Sequence, residues 1–487
     1  MTGSPPAARG RIGLWIFAGV LLASVLVGAA MLGLSLSRQT IGILVIALSI
    51  LLLLLGLPVG IAMLGAGLLG LYAMNGPRVA ISTMKSVAYD STASWSYSVI
   101  PMFILMGMIL WKTGLTSAAY DTARRWLGWL PGGLAVATNF AGAILAASSG
   151  STIGITYALG RVSIPEMLKS GYHPRLAVGS VAAAGTLGQI IPPSLLLVIY
   201  AGAASVPIGP QLLAGIVPGI LLAIAFATTI IGWAILFPAS APRQRGEPGG
   251  WPARLRSLAA VAPVALIVLI VVGGLFLGVA TATEAGVFGM LAALIFGVLH
   301  QRRQGTGWRA IGRLLRDSAV GTLTGTAAIF LLIIGVAVLS RVMALSQVPN
   351  ALAGLIVGSE LGRIELLLIL ILVYMVLGMF MDTLAMMLLT IPVLLVPLQA
   401  VGVDPLWFGV FLVVMAEVGL LTPPLGILAF IVHRIADDPE TNLGRPISLT
   451  TVFQGVAPFA ATALVVLVAL ILMPGLVTWL PGASLGG

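Results

Sequence analysis

The sequence predicts an all-α polytopic membrane protein, and three observations support that fold class. Of the 487 residues, 59% are hydrophobic and only 8% are charged, whereas soluble domains carry about 25% charged residues. The mean hydropathy is +1.14. Apolar segments of about 20 residues, each long enough to cross about 30 Å of hydrocarbon, recur along the chain. No polar stretch is long enough for a soluble catalytic domain, so we do not expect an enzyme.

The positive charge of the chain is concentrated in two Arg-rich segments. The formal net charge is +10, with 3 histidines and no cysteine. Arg243 to Arg256 and Arg302 to Arg316 are predicted to be cytoplasmic loops by the positive-inside rule, rather than a nucleic-acid-binding surface. Without cysteine there is no disulfide framework or thiolate metal site, and the Gly-Lys-Ser/Thr sequence of a phosphate-binding loop is absent. We therefore expect neither nucleotide hydrolysis through that motif nor a resident cofactor.

Apolar segments that could enter the lipid bilayer cover most of the chain, and several contain Gly or Pro near the middle. They are 14–36, 41–74, 99–120, 133–168, 174–206, 211–237, 258–279, 283–300, 317–345, 364–400, 405–436 and 452–479. Propagating the topology from the Arg-rich segments places the C-terminus outside, on the side opposite the cytoplasm. Segment 14–36 is predicted to be an extra N-terminal helix within residues 1–40, or alternatively a signal peptide. Segment 41–74 is either one tilted helix or two short pieces, interrupted at Gly56-Leu57-Pro58.

A self-match at one fixed spacing indicates an internal repeat. Gly171-Tyr172-His173-Pro174 corresponds to Gly402-Val403-Asp404-Pro405, which lies 231 positions later (171 to 402). At the same spacing, Gly188 and Pro192-Pro193 correspond to Gly419 and Pro423-Pro424. An apolar segment with a polar centre, at 148–152 and at 381–383, precedes each Pro-Pro. Four predicted crossings separate the two copies, so we expect them to enter the membrane from opposite sides, as an inverted repeat.

Paired, proline-interrupted segments are typical of the binding site of a secondary transporter. Proline removes an amide donor and clashes with the preceding turn, and non-helical backbone in a membrane is tolerated only against protein or a water-filled cavity. Freed carbonyl groups can then bind a cation, and helix amino ends can face an anion. The alternative is a simple kink at each Pro-Pro, closed by neighbouring helices; the matched spacing favours the binding site.

Five motifs resemble the large membrane subunit of tripartite ATP-independent periplasmic (TRAP) transporters. They are Pro101–Gly107 (PMFILMG), Leu130–Ala135 (LPGGLA), Gly185–Ser194 (GTLGQIIPPS), Gly378–Ala385 (GMFMDTLA) and Gly419–Gly426 (GLLTPPLG). The resemblance extends from about residue 41 to residue 480. Met415, Leu428, Ala184 and Ala282 depart from residues that are common in the family.

The resemblance implies an elevator-type transporter with two re-entrant hairpins and two broken helices. The first half, residues 41–240, would contain hairpin 1 (about 133–168) and a broken helix (174–206). The second half, residues 317–487, would contain hairpin 2 (about 364–400) and a broken helix (405–436). Residues 241–316 would form basic loops and connecting helices between the two halves.

The resemblance also implies a function, partners and a site. The function would be sodium-coupled import of organic anions, such as carboxylates or acidic sugars, across the bacterial inner membrane. The partners would be a small four-helix membrane subunit and a soluble periplasmic binding protein. Carried over onto this sequence, the substrate-facing residues are Ser149, Ser194 and Asp382. One sodium site would use mostly backbone at Gly150, Ser151, Gly185, Gly188 and Pro192, and the other would use Asp382, Gly419 and Thr422.

Individual polar residues have structural alternatives. An acid such as Asp382 within an apolar segment costs about 2.5 kcal/mol or more at mid-membrane and usually lines a cavity; it could also cap the helix that follows. Glu417 is either linked to an ion or a structural acid beside the break. Glu284 is interpreted as a helix N-terminal acid, and His173 as a loop residue. Residues 124–126, Arg-Arg-Trp, indicate a lateral interfacial helix.

Other functions remain open from the sequence. A stand-alone sodium/carboxylate symporter would transport without a binding protein. A proton-translocating subunit of a membrane enzyme would need a series of intramembrane Lys, Glu and His residues, and the apolar segments hold few of them. A passive channel is disfavoured because broken inverted repeats favour alternating access.

Overall fold

The computed structural model describes residues 6–116, 118–242, 250–423 and 426–485. Within these ranges the side chains of residues 6–14, 16, 147–149 and 485 are not described. Pro424 of the second Pro-Pro pair and residues 243–249 of the first Arg-rich segment therefore lie outside the described residues. The described parts of the chain are helical, with no β-strand among them, as the composition predicts.

The helices follow one another with short connections. In the first part of the chain they are α1 (Pro6–Gly33), α2 (Arg38–Leu54), α3 (Val59–Thr92), α4 (Val99–Lys112), α5 (Ala118–Leu127), α6 (Gly133–Ser149), α7 (Thr152–Lys169), α8 (Pro174–Thr186), α9 (Leu195–Ala203), α10 (Ile208–Ala214) and α11 (Ile216–Leu236). In the remainder they are α12 (Gly250–Phe276), α13 (Ala282–Arg303), α14 (Trp308–Ser346), α15 (Val348–Gly358), α16 (Arg363–Phe380), α17 (Thr383–Ala400), α18 (Pro405–Leu421), α19 (Ile427–Ala436), α20 (Pro439–Asn442), α21 (Leu449–Leu472) and α22 (Gly475–Leu485).

Nine helical stretches among the described residues are long and apolar enough to cross a membrane. They are Val59–Thr92, Trp95–Lys112, Ile208–Leu236, Gly250–Phe276, Ala282–Arg303, Trp308–Ser346, Arg363–Phe380, Thr383–Ala400 and Leu449–Leu472. A multi-pass membrane protein is therefore confirmed at the level of helix length and composition.

The repeat extends to the helix boundaries. Pro174 and Pro405 are the first residues of α8 and α18, and the residue before each proline caps the helix with its side chain. His173 Nδ1 accepts the amide N–H of Arg175 at 3.2 Å, and Asp404 Oδ1 accepts that of Leu406 at 2.8 Å. The equivalent helices α8 and α18 are thus capped by different side chains, a histidine in the first copy and an aspartate in the second.

Both proline-interrupted segments are divided helices rather than kinked ones. At about 1.5 Å per residue, α8 is about 20 Å long and α9 about 14 Å, so neither half spans a bilayer alone. A single 3₁₀ turn at Leu187–Gln189 and a non-helical stretch separate these two helices. In the second copy, α18 ends at Leu421 and α19 begins at Ile427. The interpretation of each Pro-Pro as a simple kink in a continuous helix is therefore wrong for the described residues.

The chain divides into two compact units, and the division falls within α14 and α17. The first unit comprises Met1–Trp95, Ala327–Arg363 and Leu388–Val403, and the second comprises Ser96–Thr326, Ile364–Met387 and Asp404–Gly487. All the predicted substrate and sodium residues belong to the second unit.

The first unit contains a tight helix crossing. A Cβ atom added to Gly60 in α3 would lie 2.9 Å from the carbonyl oxygen of Leu331, and one added to Gly335 would lie 2.7 Å from the carbonyl oxygen of Gly60. Small residues let helix backbones approach closely in membrane proteins. The α3–α14 contact within this unit therefore depends on glycine at both positions.

In the second unit, the short helix α5 is bonded to two neighbours. Arg124 forms an ion pair with Glu166 of α7. Trp126 Nε1 donates to the carbonyl oxygen of Arg254 in α12 at 3.3 Å. The predicted helix around residues 124–126 is present as α5, and its orientation to the membrane stays a prediction.

Some predicted boundaries differ from the observed ones. The Arg-rich segments are not simply loops: residues 250–256 belong to α12 and residues 308–316 to α14, because Arg has high helix propensity and its long side chain lets the charge reach water beyond an apolar helix. Segment 452–479 is two helices, because Pro474 restricts the backbone of the preceding residue. Segment 41–74 is likewise two helices, which resolves the alternative left open there.

Candidate functional site

The tip of the first helix pair, α6 and α7, is formed by two residues. Gly150 has a φ of +55°, which a glycine adopts without steric cost, and Ser151 begins α7 as its N-cap. The Ser151 hydroxyl oxygen accepts the amide N–H of Gly154 at 3.2 Å. Ser149 is the last residue of α6, and its predicted substrate-facing side chain lies outside the described ones.

Ser194 forms hydrogen bonds on both sides of the interruption between α8 and α9. Its side chain is fully buried, donates to the carbonyl oxygen of Gln189 and accepts the amide N–H of Leu197 at 3.3 Å. These two bonds satisfy groups that the end of the 3₁₀ turn and the start of α9 leave open. Ser194 is therefore a structural cap of α9, and its contact with substrate stays a prediction.

The tip of hairpin 1 lies against the first broken helix. A Cβ atom added to Gly188 would lie 3.3 Å from the carbonyl carbon of Ser151, and one added to Gly150 would lie 3.5 Å from the amide nitrogen of Leu195. Gly185 is equally close, since its added Cβ would lie 3.2 Å from the carbonyl oxygen of Thr152. The structure thus brings together the predicted backbone ligands Gly150, Ser151, Gly185 and Gly188.

The second tip has the same local structure with a charged cap. Asp382 immediately precedes α17, and its Oδ1 accepts the amide N–H of Ala385 at 3.1 Å. Asp382 lies 231 positions after Ser151 (151 to 382), so the two caps occupy equivalent places in the repeat. The Asp382 side chain is exposed, whereas Thr383 beside it is buried. The N-cap role considered for Asp382 is present, and an exposed carboxylate there remains accessible to a ligand.

The helix that leads to the second tip touches the second broken helix through glycine. A Cβ atom added to Gly378 in α16 would lie 2.7 Å from the Cα of Gly419 in α18. Three residues later, Thr422 is the C-cap of α18, and its hydroxyl donates to the carbonyl oxygen of Val418 at 2.7 Å. The amide N–H of Thr422 donates to the carbonyl oxygen of Gly419 at 3.1 Å. Gly378 is a site residue that the sequence analysis did not single out, although it opens one of the quoted motifs.

Glu417 joins the two halves of the repeat. It is 2% exposed, and its Oε1 accepts a hydrogen bond from the Thr152 hydroxyl at 2.9 Å. Thr152 is the first residue of α7, so a carboxylate of the second broken helix lies at the amino end of a helix in hairpin 1. That end carries a partial positive charge, which favours a carboxylate. Glu417 was a candidate from the sequence, whereas Thr152 was included only in the polar centre 148–152 and the contact between them was not predicted.

Helix α18 presents different residues to the two hairpins. Successive helical residues are about 100° apart, so Glu417 and Gly419 lie on nearly opposite faces. Glu417 contacts Thr152 of hairpin 1, and Gly419 contacts Gly378 of the second helix pair. One short helix therefore contacts elements of both copies of the repeat.

Glu284 has a role outside this region. Thr281 accepts the amide N–H of Glu284 at 3.3 Å, and Glu284 Oε2 accepts that of Thr281 at 2.8 Å. This is a capping box at the start of α13. The interpretation of Glu284 as an acid at a helix amino end is confirmed.

Comparison with known proteins identifies a protein family. Residues 46–476 match the family model described as the tripartite ATP-independent periplasmic transporter, DctM component. The sialic acid TRAP transporter large permease of Vibrio cholerae is 30% identical over 89% of this chain and 97% of its own length. The C4-dicarboxylate TRAP transporter large permease of the same species is 27% identical over 89% of this chain and 96% of its own length.

A solved structure with a similar fold is also known. The crystal structure of the Alcanivorax borkumensis YdaH transporter covers 82% of this chain and 88% of its own chain, with a TM-score of 0.62 and 17% sequence identity. At this identity the likeness concerns the fold alone.

Proposed function

We propose that this chain, which belongs to the family of the DctM component of tripartite ATP-independent periplasmic transporters, is the large permease of a sodium-coupled importer of small organic anions. As a TRAP large permease it is a multi-pass protein of the inner membrane. The observation that carries the proposal is the pairing of two capped helix tips, at Ser151 and Asp382, with two divided helices at one repeat spacing.

The substrate is a carboxylate in this proposal. The two Vibrio cholerae relatives are named for sialic acid and for C4-dicarboxylates, and both kinds of molecule carry a carboxylate. The amino ends of α7 and α9, capped by Ser151 and Ser194, lie on either side of the contact between Gly150 and Leu195. Helix amino ends favour anions because of unpaired amide groups and the helix dipole. We assign the substrate carboxylate to this place, with Ser149 and Asp382 completing the site.

Sodium supplies the coupling. Backbone carbonyl groups at a helix break can bind a cation, and the proposed ligands are the residues around Gly185 and Gly188 in one copy and around Gly419 and Thr422 in the other. Two sodium ions would offset the charge of the Asp382 carboxylate and of the anion. Without them, an anion beside Asp382 would meet like charge, which disfavours binding.

The site moves as one body in this proposal. All predicted substrate and sodium residues belong to one compact unit, which supports an elevator-type motion. The re-entrant hairpins of this proposal are α6–α7 and α16–α17, and Ile364–Met387 is the part of the second hairpin that belongs to the same unit. The remaining components are a small four-helix membrane subunit and a periplasmic binding protein that delivers the substrate. The C-terminus lies in the periplasm in the same topology.

Reconstituted uptake tests the proposal. The full chain and the small subunit are placed in liposomes, and uptake of labelled sialic acid and of labelled succinate is measured with and without the cognate binding protein. We expect uptake of a carboxylate only when the binding protein is present and sodium is higher outside. Uptake without the binding protein would instead indicate a stand-alone symporter, and uptake driven by a proton gradient in sodium-free buffer would contradict sodium coupling.

A further inference from the structure

Glu417 is the only charged side chain among the buried residues that the structure describes. Its Oε1 is bonded to Thr152, and its Oε2 has no hydrogen-bond partner in the described part of the chain. None of the ion pairs between described residues includes Glu417. A carboxylate buried in a membrane protein without a positive partner is costly, and such groups mark ion pathways and binding sites.

The repeat shows what is unusual about this contact. The position 231 residues before Glu417 is Thr186, whose hydroxyl donates to the carbonyl oxygen of Ala183 in its own helix at 2.8 Å. The position equivalent to Thr152 is Thr383. The pair Thr152–Glu417 therefore corresponds to the neutral pair Thr383–Thr186, and only one of the two has a carboxylate.

The hairpin tips have the opposite distribution. Ser151, at the first tip, is neutral, and Asp382, at the equivalent place of the second tip, is a carboxylate. The first tip lies beside Thr152 and therefore beside Glu417. The second tip lies beside Thr383, and the residue equivalent to Glu417 there is Thr186, which has no charge. Each of the two repeat-related regions thus contains one carboxylate, which is Glu417 of a broken helix at the first tip and Asp382 of the hairpin itself at the second tip. Both carboxylates belong to the second copy.

We infer that Glu417 is the carboxylate ligand of the sodium ion at the first tip, as Asp382 is at the second; this rests on the proposed sodium coupling. The backbone groups proposed for that ion surround Thr152: Gly185 approaches its carbonyl oxygen and Gly188 approaches Ser151. Hard cations take carboxylate and carbonyl oxygens together. The free Oε2 atom of Glu417 supplies the charge that this otherwise neutral set of ligands lacks.

The test measures sodium binding directly, without substrate. The purified complex of the full chain and the small subunit is heated at increasing NaCl, with KCl replacing it to hold ionic strength constant. We expect sodium to stabilise the wild type with a sigmoidal dependence. In Glu417→Gln the half-saturating sodium concentration should rise about 10- to 100-fold, as for loss of groups that support a metal, and the sigmoidal dependence should become hyperbolic.

Two further variants keep the test decisive. Asp404→Asn removes a carboxylate at the opposite end of α18, and its half-saturating sodium concentration should equal that of the wild type. Glu417→Asp keeps the charge but withdraws it by one methylene, and should weaken sodium binding by less than Glu417→Gln does. Wild-type sodium dependence in Glu417→Gln, or in Glu417→Asp if the glutamine variant does not fold, would overturn the inference alone. A wild type that does not respond to sodium would overturn the proposed coupling together with it.

Discussion

A methyl group on Gly378 would lie 2.7 Å from the Cα of Gly419, so that α16 and α18 are in backbone contact where they cross. The crossing lies one helical turn before Asp382 and three residues before Thr422. Because the two backbones touch, the lack of side chains at Gly378 and Gly419 determines where the second tip lies relative to the end of α18.

We expect Gly419→Ala to lower stability by about 1–3 kcal/mol, the usual cost of forcing extra volume into a packed contact, and to reduce uptake. Thermal unfolding of the purified protein and reconstituted uptake measure the two effects. The control is Gly232→Ala in α11, where no atom lies within 4 Å of the added methyl group, and which should leave both unchanged. Equal effects in the two variants would contradict a specific role of the crossing.

Asp382→Asn should abolish uptake while the protein still folds. Asparagine caps a helix about as well as aspartate, so the bond to the amide N–H of Ala385 can persist, and only the charge is lost. Asp382→Ala should abolish uptake as well, with expression retained. The matched control is Asp404→Asn, which changes another N-cap aspartate of the same repeat copy and should transport normally. Normal uptake by Asp382→Asn would remove the Asp382 charge from the site.

Thr281→Ala should affect folding but not transport. The substitution removes the Thr281 half of the capping box of α13, which costs about 1 kcal/mol for a typical N-cap. We expect a lower unfolding temperature, with uptake per folded molecule and its sodium dependence equal to those of the wild type. A changed half-saturating sodium concentration would show that α13 takes part in ion binding, against this prediction.

His173 should make stability depend on pH below neutrality. Partial burial, and then the neighbouring Arg175, lower the pKa of His173 from its usual value near 6.5, and its cap of α8 uses the unprotonated Nδ1. A base whose pKa is lower in the folded state stabilises the fold above the unfolded pKa, and this contribution is lost as pH falls through the folded pKa. His173→Asn keeps a cap without titrating. The unfolding temperature should therefore fall more in the wild type than in His173→Asn between about pH 7.5 and about pH 5.5, and equal falls would contradict the assignment.

Much of the architecture could be predicted because membrane helices have a strong local signal. The repeat spacing located both divided helices and both tips, since proline and glycine act on the backbone where they stand. The same local rules failed at the Arg-rich segments, where α12 and α14 include residues predicted as loops. Charge indicates which side of a membrane a segment occupies, but it does not end a helix.

The contacts of the site were less accessible to sequence reasoning. Thr152 and Glu417 are far apart in the chain, and nothing in either local sequence indicates that they meet. The resemblance implies that Ser194 faces substrate, and nothing in its local sequence indicates that its hydroxyl also bonds to the carbonyl oxygen of Gln189. Both results depend on tertiary packing, which a pattern of residue types along one chain does not specify.

The equivalence of Ser151 and Asp382 has an evolutionary consequence. Serine and aspartate both start a helix well, so a single codon change at either tip can add or remove a negative charge without rebuilding the scaffold. The two copies of the repeat therefore provide two equivalent helix-capping positions, and the charge at each position can change independently of the other. Related carriers could acquire different ion stoichiometries by this route while keeping one architecture.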